Sequence, residues 1–583
     1  MTGSETADGK AIRREQGEAN MAGEDVSEFC SMSPEAPVFV REATGLVRSF
    51  TAWDVLFLGF FGFGGAWSII YAVEYAPLYG GDPVTSLILT APGILALLGV
   101  YYIFQVSMPR SGGDYVFISR ILHPAIGLAA NFAGYTFFFW FWIGDAAAVW
   151  ASQGLAQTLS VYGALTGQQW AINAAGIFTP NIVFLLGTVA IVLTTLVLIY
   201  SVRVFFSIQT VAGIISVLGL VLMIALLATT NPTAFESVLN NYAHAQGISL
   251  GHGAYQNITA AGTAYWGGPV PTALASPYTF TLIPLWFTVL FWVFASNYIG
   301  GELKNPQRNA KITLFGGFAI TFIPTIAALG LAYANLGPDF LAGAGYYASG
   351  YAPNPLPVIP NLTLFAALLA NNPLVACFIG LGVVAGFVLV IGGSTIAMSR
   401  CFFSYAFDRI GPSFLADVSD RWHSPVKSLV IAAVGGEIFL LLLVGVVGPS
   451  NSATAFLLYS YAGLAAIGLL FTFTSISAIV FPFKSKTLYE RTCPVKRKIV
   501  GVPLITWLGI ISLAYCLLTV GYYSYDYLFY FGAGTLAANL YFPFLEIIAA
   551  VFLACIAWFF VIKWYRSKSG LPFEAAFKEI PPE

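Results

Sequence analysis

Charge is what this sequence has least of. Only 9% of its 583 residues are Asp, Glu, Lys or Arg and 58% are apolar, whereas a soluble domain carries about 25% charged residues. That balance excludes a water-soluble fold, and with a net charge of -2 nothing supports nucleic-acid binding. Histidine is scarce too: the four residues are His123 and His423 in basic segments, and His244 and His252 in one polar loop. No cluster of His, Cys, Asp or Glu falls at membrane depth, as metal-dependent or nucleophilic chemistry there requires, so the chain reads as no enzyme. The six cysteines (Cys30, Cys377, Cys401, Cys493, Cys516, Cys555) all lie in apolar runs or on the basic side, which excludes a disulfide framework. Residues 1–35 lack an apolar core, so this segment reads as a disordered tail rather than a signal peptide.

The most informative absence is local. All 25 Lys and Arg residues fall into seven clusters, at 10–48, 110–120, Arg203, 304–311, 400–427, 484–498 and 563–578. The six stretches between them contain none, and each holds two apolar runs long enough to cross a bilayer. A helix needs about 20 apolar residues to span the hydrocarbon core, and short loops rich in Lys and Arg stay cytoplasmic. The pattern predicts twelve spans, with both termini cytoplasmic: roughly 53–76, 84–107, 124–157, 178–200, 204–228, 279–301, 312–336, 373–398, 426–447, 454–481, 503–525 and 542–564. The outer loops at 229–278 and 337–361 are rich in Gly, Pro, Tyr, Asn and Ala, and neither has the composition of a separate domain. They carry sequons at Asn257-Ile-Thr259 and Asn361-Leu-Thr363.

Two spans are interrupted. The first contains Gly59-Phe-Phe-Gly62-Phe63-Gly64-Gly65, and the sixth ends in Phe291-Trp292-Val293-Phe294-Ala295-Ser296-Asn297 followed by Gly300-Gly301-Glu302. They stand five spans apart, so a five-helix repeat would run in opposite directions in its two copies. Broken helices at matching positions of such halves mark transport sites, because an unwound backbone offers N–H and C=O groups to a polar ligand. Close packing of helices on glycines is the structural alternative. The expected architecture is all-α and integral to the membrane, with a 5+5 inverted repeat plus two C-terminal helices. The divisions are a cytoplasmic tail at 1–48, a first repeat at 49–228, an outer loop at 229–278, a second repeat at 279–482, helices 11 and 12 at 483–566, and a tail at 567–583.

Four segments then resemble one family. Met108-Pro109-Arg110-Ser111-Gly112-Gly113-Asp114-Tyr115 follows the second span, with Pro124-Ala-Ile-Gly127 after it. Glu302-Leu-Lys304-Asn305-Pro306-Gln-Arg308 follows the sixth. Ser399-Arg400, Asp408-Arg-Ile-Gly411-Pro412 and Ser424-Pro425-Val426 join the eighth to the ninth. Gly570-Leu-Pro572 through Lys578-Glu579-Ile580-Pro581-Pro582-Glu583 ends the chain. Together they resemble the amino acid-polyamine-organocation superfamily of permeases. That resemblance implies that the N–H groups of Gly62, Phe63, Gly64 and Gly65 take a substrate carboxylate at the positive end of a half-helix. It further implies that carbonyls near Trp292, Val293, Ala295 and Ser296 take an ammonium group. Many relatives have glycine near Trp292, so the pocket here is narrower or the break is displaced toward Ser296.

Asp145 and Glu437 are the carboxylates deepest inside spans, and an intramembrane ionisable group is a functional candidate. Asp145 is the expected contact for a cationic group, or a proton carrier; Glu437 reads as structural. For ion coupling the resemblance places Na+ near Ser394 and Thr395, while the lysine that many relatives carry on helix 5 is replaced by Ser216. No cofactor is expected beyond Na+ or H+ as a coupling ion. Arg110, Lys304, Arg308 and Arg400 share one face with Asp114, Glu302 and Asp408, where they form ion pairs that bias one gate or merely set topology. The reading is a secondary active transporter of amino acids or related organic cations at the plasma membrane, a monomer or homodimer in the bilayer. A carrier of nucleobases or other metabolites on the same fold, or a sensor that has lost turnover, is the alternative.

Overall fold

Hydrocarbon supplies no water to satisfy backbone N–H and C=O groups, so a lipid-facing span closes its own hydrogen bonds as a helix. The computed structural model describes residues 50–61, 73, 75–419, 421, 422, 424–445, 452–531, 544–568 and 577. Eleven helices among them are long and apolar enough to cross a bilayer. The sequence pattern predicts twelve; of the first, 53–76, the described residues contain only helix α1 (Ala52–Phe61), residue 73 and a helical turn at 75–79.

In chain order the spans and the shorter helices used below are α2 (Pro83–Ser107), the short α3 (Asp114–Ile121), α4 (Pro124–Thr166), α5 (Pro180–Tyr200) and α6 (Val202–Ala228). Next come α7 (Pro232–Ala245), α8 (Ala254–Trp266), α9 (Tyr278–Tyr298), α10 (Pro306–Asn335), α11 (Pro338–Ala348) and α12 (Leu362–Leu369). The last five are α13 (Pro373–Phe407), α14 (Val426–Leu443), α15 (Ser452–Lys484), α16 (Leu504–Phe529) and α17 (Phe544–Lys568). One two-stranded antiparallel ribbon pairs Lys498–Ile499 with Val502–Pro503 before α16.

Local chemistry explains where the spans begin. Asp82 accepts from the Val84 and Thr85 N–H groups at 3.1 and 3.4 Å, Asn372 accepts from Leu374 at 2.9 Å, and His123 Nδ1 accepts from Ala125 at 3.1 Å. Each cap precedes a proline whose missing N–H is harmless in the first turn. The hydropathic core of α9 is 83% buried by protein and that of α17 only 11%, so α9 lies inside the bundle and α17 faces lipid. Helix α4 has 43 residues and passes through π-helical turns at Phe132–Phe137 and Trp150–Ala156; at no more than 1.5 Å per residue it is about 60 Å long, roughly twice the hydrocarbon thickness. Its outer end therefore extends past the expected boundary at 157, where composition turns polar. Gly144 of α4 meets the backbone of α14 at Leu440 and Gly436, the close approach that small residues permit between membrane helices.

The outer loops hold more structure than composition suggests. Helices α7, α8, α11 and α12 form a cap: Tyr255 stacks on Phe340 at 4.8 Å, while Phe235 meets Phe340 at 5.1 Å and Phe365 at 5.3 Å. Asp339 accepts from the Val270 N–H at 2.7 Å, and the Tyr255 hydroxyl donates to the Leu336 carbonyl at 3.0 Å. Asn361 is buried; it caps α12 through the Leu364 N–H and hydrogen-bonds Gln157 at 2.8 Å, so its sequon is not displayed for a glycan.

A Cβ on Gly343 would collide with the Ile258 carbonyl, and one on Gly262 with the Asp339 carbonyl. Gly343→Leu is expected to separate α8 from α11 at about the 1–3 kcal/mol of an overpacked core. A lowered unfolding midpoint of the purified protein checks this; an unchanged midpoint refutes the cap contact.

Candidate functional site

Helix α9 changes character part-way. Residues Ile283–Leu290 are α-helical, and Phe291–Tyr298 form a 3₁₀ coil in which every residue is buried. A 3₁₀ coil rises about 2.0 Å per residue and runs three residues per turn, so its side chains are re-aimed relative to those of the α-helical half. The interruption expected from sequence is thus a tight coil with closed hydrogen bonds. The Ser296 carbonyl accepts from Gln105 Nε2 at 3.3 Å, and the Asn297 amide donates to the Phe294 carbonyl at 2.7 Å.

One face of α4 lines this coil. Tyr135 stacks on Tyr298 at 3.8 Å and on Phe139 at 4.1 Å, while Phe139 and Trp142 meet Trp292 edge-on at 5.7 and 5.4 Å. Positions 135, 139 and 142 are spaced as one helical stripe, and Asp145 continues it one turn on. Asp145 is 4% exposed and has neither hydrogen bond nor ion pair among the described residues. Behind the coil, Phe291 and Phe294 pack on Phe471 at 4.8 and 4.9 Å.

A second polar layer lies on the face that carries the basic clusters. The Pro109–Gly113 turn lies against the end of α9, with the Gly112 N–H donating to the Tyr298 carbonyl at 3.0 Å. Gly112 and Gly113 have φ of +105° and +52°, which side-chain-bearing residues avoid. A Cβ on Gly112 would strike Ser404 Oγ, and one on Gly113 would press on the Tyr298 ring. The turn delivers Asp114 to the start of α3, fully buried.

Three carboxylates in this layer are buried and differently partnered. Glu302 receives Arg400 through two hydrogen bonds, at 2.8 and 3.0 Å. Asp408 pairs with Arg120 at 2.6 Å and accepts the Tyr115 hydroxyl at 2.7 Å. Asp114 accepts hydroxyl hydrogens from Tyr101 at 2.6 Å, Tyr298 at 2.7 Å and Thr474. Burial pushes the Asp114 carboxyl up, against those hydrogen bonds, and the net direction is up. For Asp408 burial also pushes up, but the Arg120 ion pair, the charge of Arg110 and the Tyr115 hydroxyl outweigh it and hold Asp408 below its ordinary 3.8. Of the pairs expected on this face Arg400 with Glu302 is one, while Asp408 takes Arg120, which the expectation did not name; both pairs are buried. Lys304 and Arg308 remain exposed.

Residues 50–526 match the sequence profile of the amino acid permease family. The chain belongs to that family. No curated protein matches it. The permease is a multi-pass membrane protein, and its family together with the eleven apolar helices among the described residues points to a transporter.

The remaining candidates of the permease are spread through the bundle. Gly62, Phe63, Gly64 and Gly65 lie outside the described residues, but α1, which leads to them, packs on the 3₁₀ coil. Trp292, Val293, Ala295 and Ser296 are in the coil and buried. Ser394 and Thr395 sit deep in α13: Thr395 bonds back to the Ile391 carbonyl at 2.7 Å, and Ser394 Oγ is buried without a hydrogen-bond partner among the described residues. Ser216 is buried in α6. Glu437 accepts from Thr188 at 2.9 Å, joining α14 to α5. Among the described residues no three His, Cys, Asp or Glu side chains gather to hold a metal. Sequence reasoning passed over Tyr101, Tyr298 and Thr474; their hydroxyls had no signal beyond polarity at the basic end of an apolar run.

A carboxyl held below its ordinary value adds stability above about pH 3.9 and loses it as pH falls through its folded value. Asp408→Asn strands Arg120 and is expected to cost about 3–5 kcal/mol at neutral pH. The deficit should shrink as pH falls below about 4 toward the depressed folded value of Asp408, because the unfolded chain takes up its proton first and the wild-type pair loses its advantage. Unfolding midpoints of both proteins in detergent from pH 3 to 8 check this, and a deficit independent of pH would contradict it.

Proposed function

We propose that the permease is a secondary active transporter that moves an amino acid or related organic cation by alternating access. The basic face lies in the cytoplasm of the cell whose plasma membrane it spans. The observation that carries this reading is Asp145: a buried carboxylate with no partner among the described residues, one helical turn beyond the Phe139 and Trp142 that line Trp292. A charge at that depth is costly unless matched, and a substrate ammonium matches it. The N–H groups of Gly62 to Gly65 then take the carboxylate, Trp292 forms an aromatic wall, and the Val293 and Ala295 carbonyls complete the polar lining through the second lone pairs left after bonding within the coil. The Ser296 carbonyl, already bonded to Gln105, is the least suited of that set.

For the coupling ion, the buried Ser394 hydroxyl supports an Na+ site with Thr395, with Ser216 in the position where a lysine would replace the ion. This reading requires a ligand effect that depends on Na+.

Reconstitution in liposomes with labelled amino acids and polyamines tests the whole reading. Saturable uptake or exchange of at least one is expected, and none would sink it. Uptake blocked by nucleobases but not by amino acids would point to the other carrier class, and binding without uptake to a sensor. Asp145→Asn is expected to weaken a cationic substrate by roughly ten- to a hundredfold, the worth of a hydrogen bond to a charged group. The readout is the ligand-induced rise in unfolding midpoint, which reaches about 2.7 kcal/mol of stabilisation at 100 times Kd; an unchanged rise removes Asp145 from the site.

A further inference from the structure

Asp114 differs from its two neighbours in the basic layer. Arg400 neutralises Glu302 and Arg120 neutralises Asp408, but no ion pair reaches Asp114 among the described residues. Its shell is made of neutral donors on three helices: Tyr101 on α2, Tyr298 on α9 and Thr474 on α15. The other titratable groups that feel its charge are Tyr135 of α4, Cys401 of α13 and Cys516 of α16. On its own helix, Tyr115 and Arg120 are committed to Asp408. At the far end of α3, Lys484 is bonded to the Leu122 carbonyl, and His123 follows as the cap of α4. Arg110 lies over the Phe407 ring and adds its charge to Asp408.

The tie extends beyond its three donors. Tyr298 also accepts from the Asn131 amide at 3.1 Å, Asn131 accepts from Tyr405 at 2.5 Å, and Tyr405 bonds Thr136 at 3.0 Å. One ionised carboxylate thus holds α2, α9 and α15 directly, and α4 and α13 through Tyr298. A carboxylate has room for all three donors, and bonds to an ionised acceptor are about twice as strong as neutral ones. A proton on Asp114 occupies one acceptor site and turns it into a donor. The new O–H then faces a shell made only of donors, so one of the three hydroxyls must reverse to accept it or the O–H goes unsatisfied, and the bonds that remain are neutral.

We propose that Asp114 is a proton-binding site that works the basic-side gate of the permease: ionised, it ties α2, α9 and α15 together, and proton uptake releases them. This rests on the transport reading for its purpose, though not for its geometry. Tyr298 closes the same 3₁₀ coil that begins beside Trp292, about 12 Å away along the coil at 2.0 Å per residue. A proton at one end and a substrate at the other therefore act on one element, which is the physical requirement for coupling two ligands through a shared two-state part.

Cys401 is a native reporter of this gate. It is buried in α13 beside Thr136 and Tyr405, so a maleimide reaches it only when the basic face opens. The full-length protein and Asp114→Asn are labelled between pH 5.5 and 8, and modification of Cys401 is followed by mass spectrometry. Because the charge of Asp114 also acts on the Cys401 thiol, the ratio of variant to wild-type rate at each pH is read together with amide hydrogen exchange of α9 and α15. That exchange does not depend on the thiol, and the two must agree. The ratio is expected to rise with pH, by about tenfold in all, as ionisation of Asp114 closes the wild-type protein, the effect of removing one charge-assisted bond. A ratio that does not change with pH overturns the proposal. Thr474→Val, which keeps the carboxylate and removes one donor, is expected to move the midpoint of the wild-type pH response upward by about one unit; an unmoved midpoint counts against it equally. Labelling needs no substrate, so the two readings separate. A pH response that depends on Asp114 without uptake of any substrate keeps the proton site and removes the transport reading. Uptake that ignores an imposed pH gradient, with pH-independent labelling, does the reverse.

Discussion

A charge placed in hydrocarbon must find its counterpart there, and the basic face of this permease is organised around that requirement. Leaving one member of a buried pair alone costs about 3–5 kcal/mol, so Glu302 and Asp408 bring Arg400 and Arg120 with them. Each pair joins segments far apart in the chain: Arg120 of α3 to the end of α13, and Arg400 within α13 to the turn after α9. The packing of the inner helices at this face follows from satisfying those groups. Desolvation leaves such pairs contributing little net stability; what they determine is which helices must meet.

The same layer explains the glycines of the Pro109–Gly113 turn. The turn must pass between Ser404 and the Tyr298 ring, and only residues without a Cβ fit at Gly112 and Gly113. Asp114 is then delivered among hydroxyls instead of cations. Arginine partners would lock a carboxylate in its ionised form, whereas neutral donors leave it able to change state. The aromatic stripe of α4 connects this layer to Trp292, since Tyr135 touches Tyr298 and Phe139 while Phe139 touches Trp292.

Much of the architecture was legible in composition. The empty intervals between Lys and Arg clusters located eleven spans that the structure describes, because the bilayer selects length and apolarity, and both are local properties of sequence. The outer cap was not legible. Phe235, Tyr255, Phe340 and Phe365 are separated by loops and spans, and nothing local says that they meet. Helix α4 overran its expected end for a related reason: its outer turns are held by α7 and α12, through Ser160 with Tyr242 and Gln157 with Asn361, and not by apolarity.

The candidate site divides in the same way. Asp145 was visible as a carboxylate inside an apolar run, and the interrupted sixth span as a change of residue type, so sequence alone determined that this is a membrane permease and roughly where its polar depth lies. Only tertiary structure decided which polar groups share a partner. Asp114 is 184 residues from Tyr298 and 360 from Thr474, and no periodicity reaches across such separations. Helix packing sets these meetings, because it brings side chains from distant turns within the 2.7 Å or so over which a hydroxyl can reach a carboxylate.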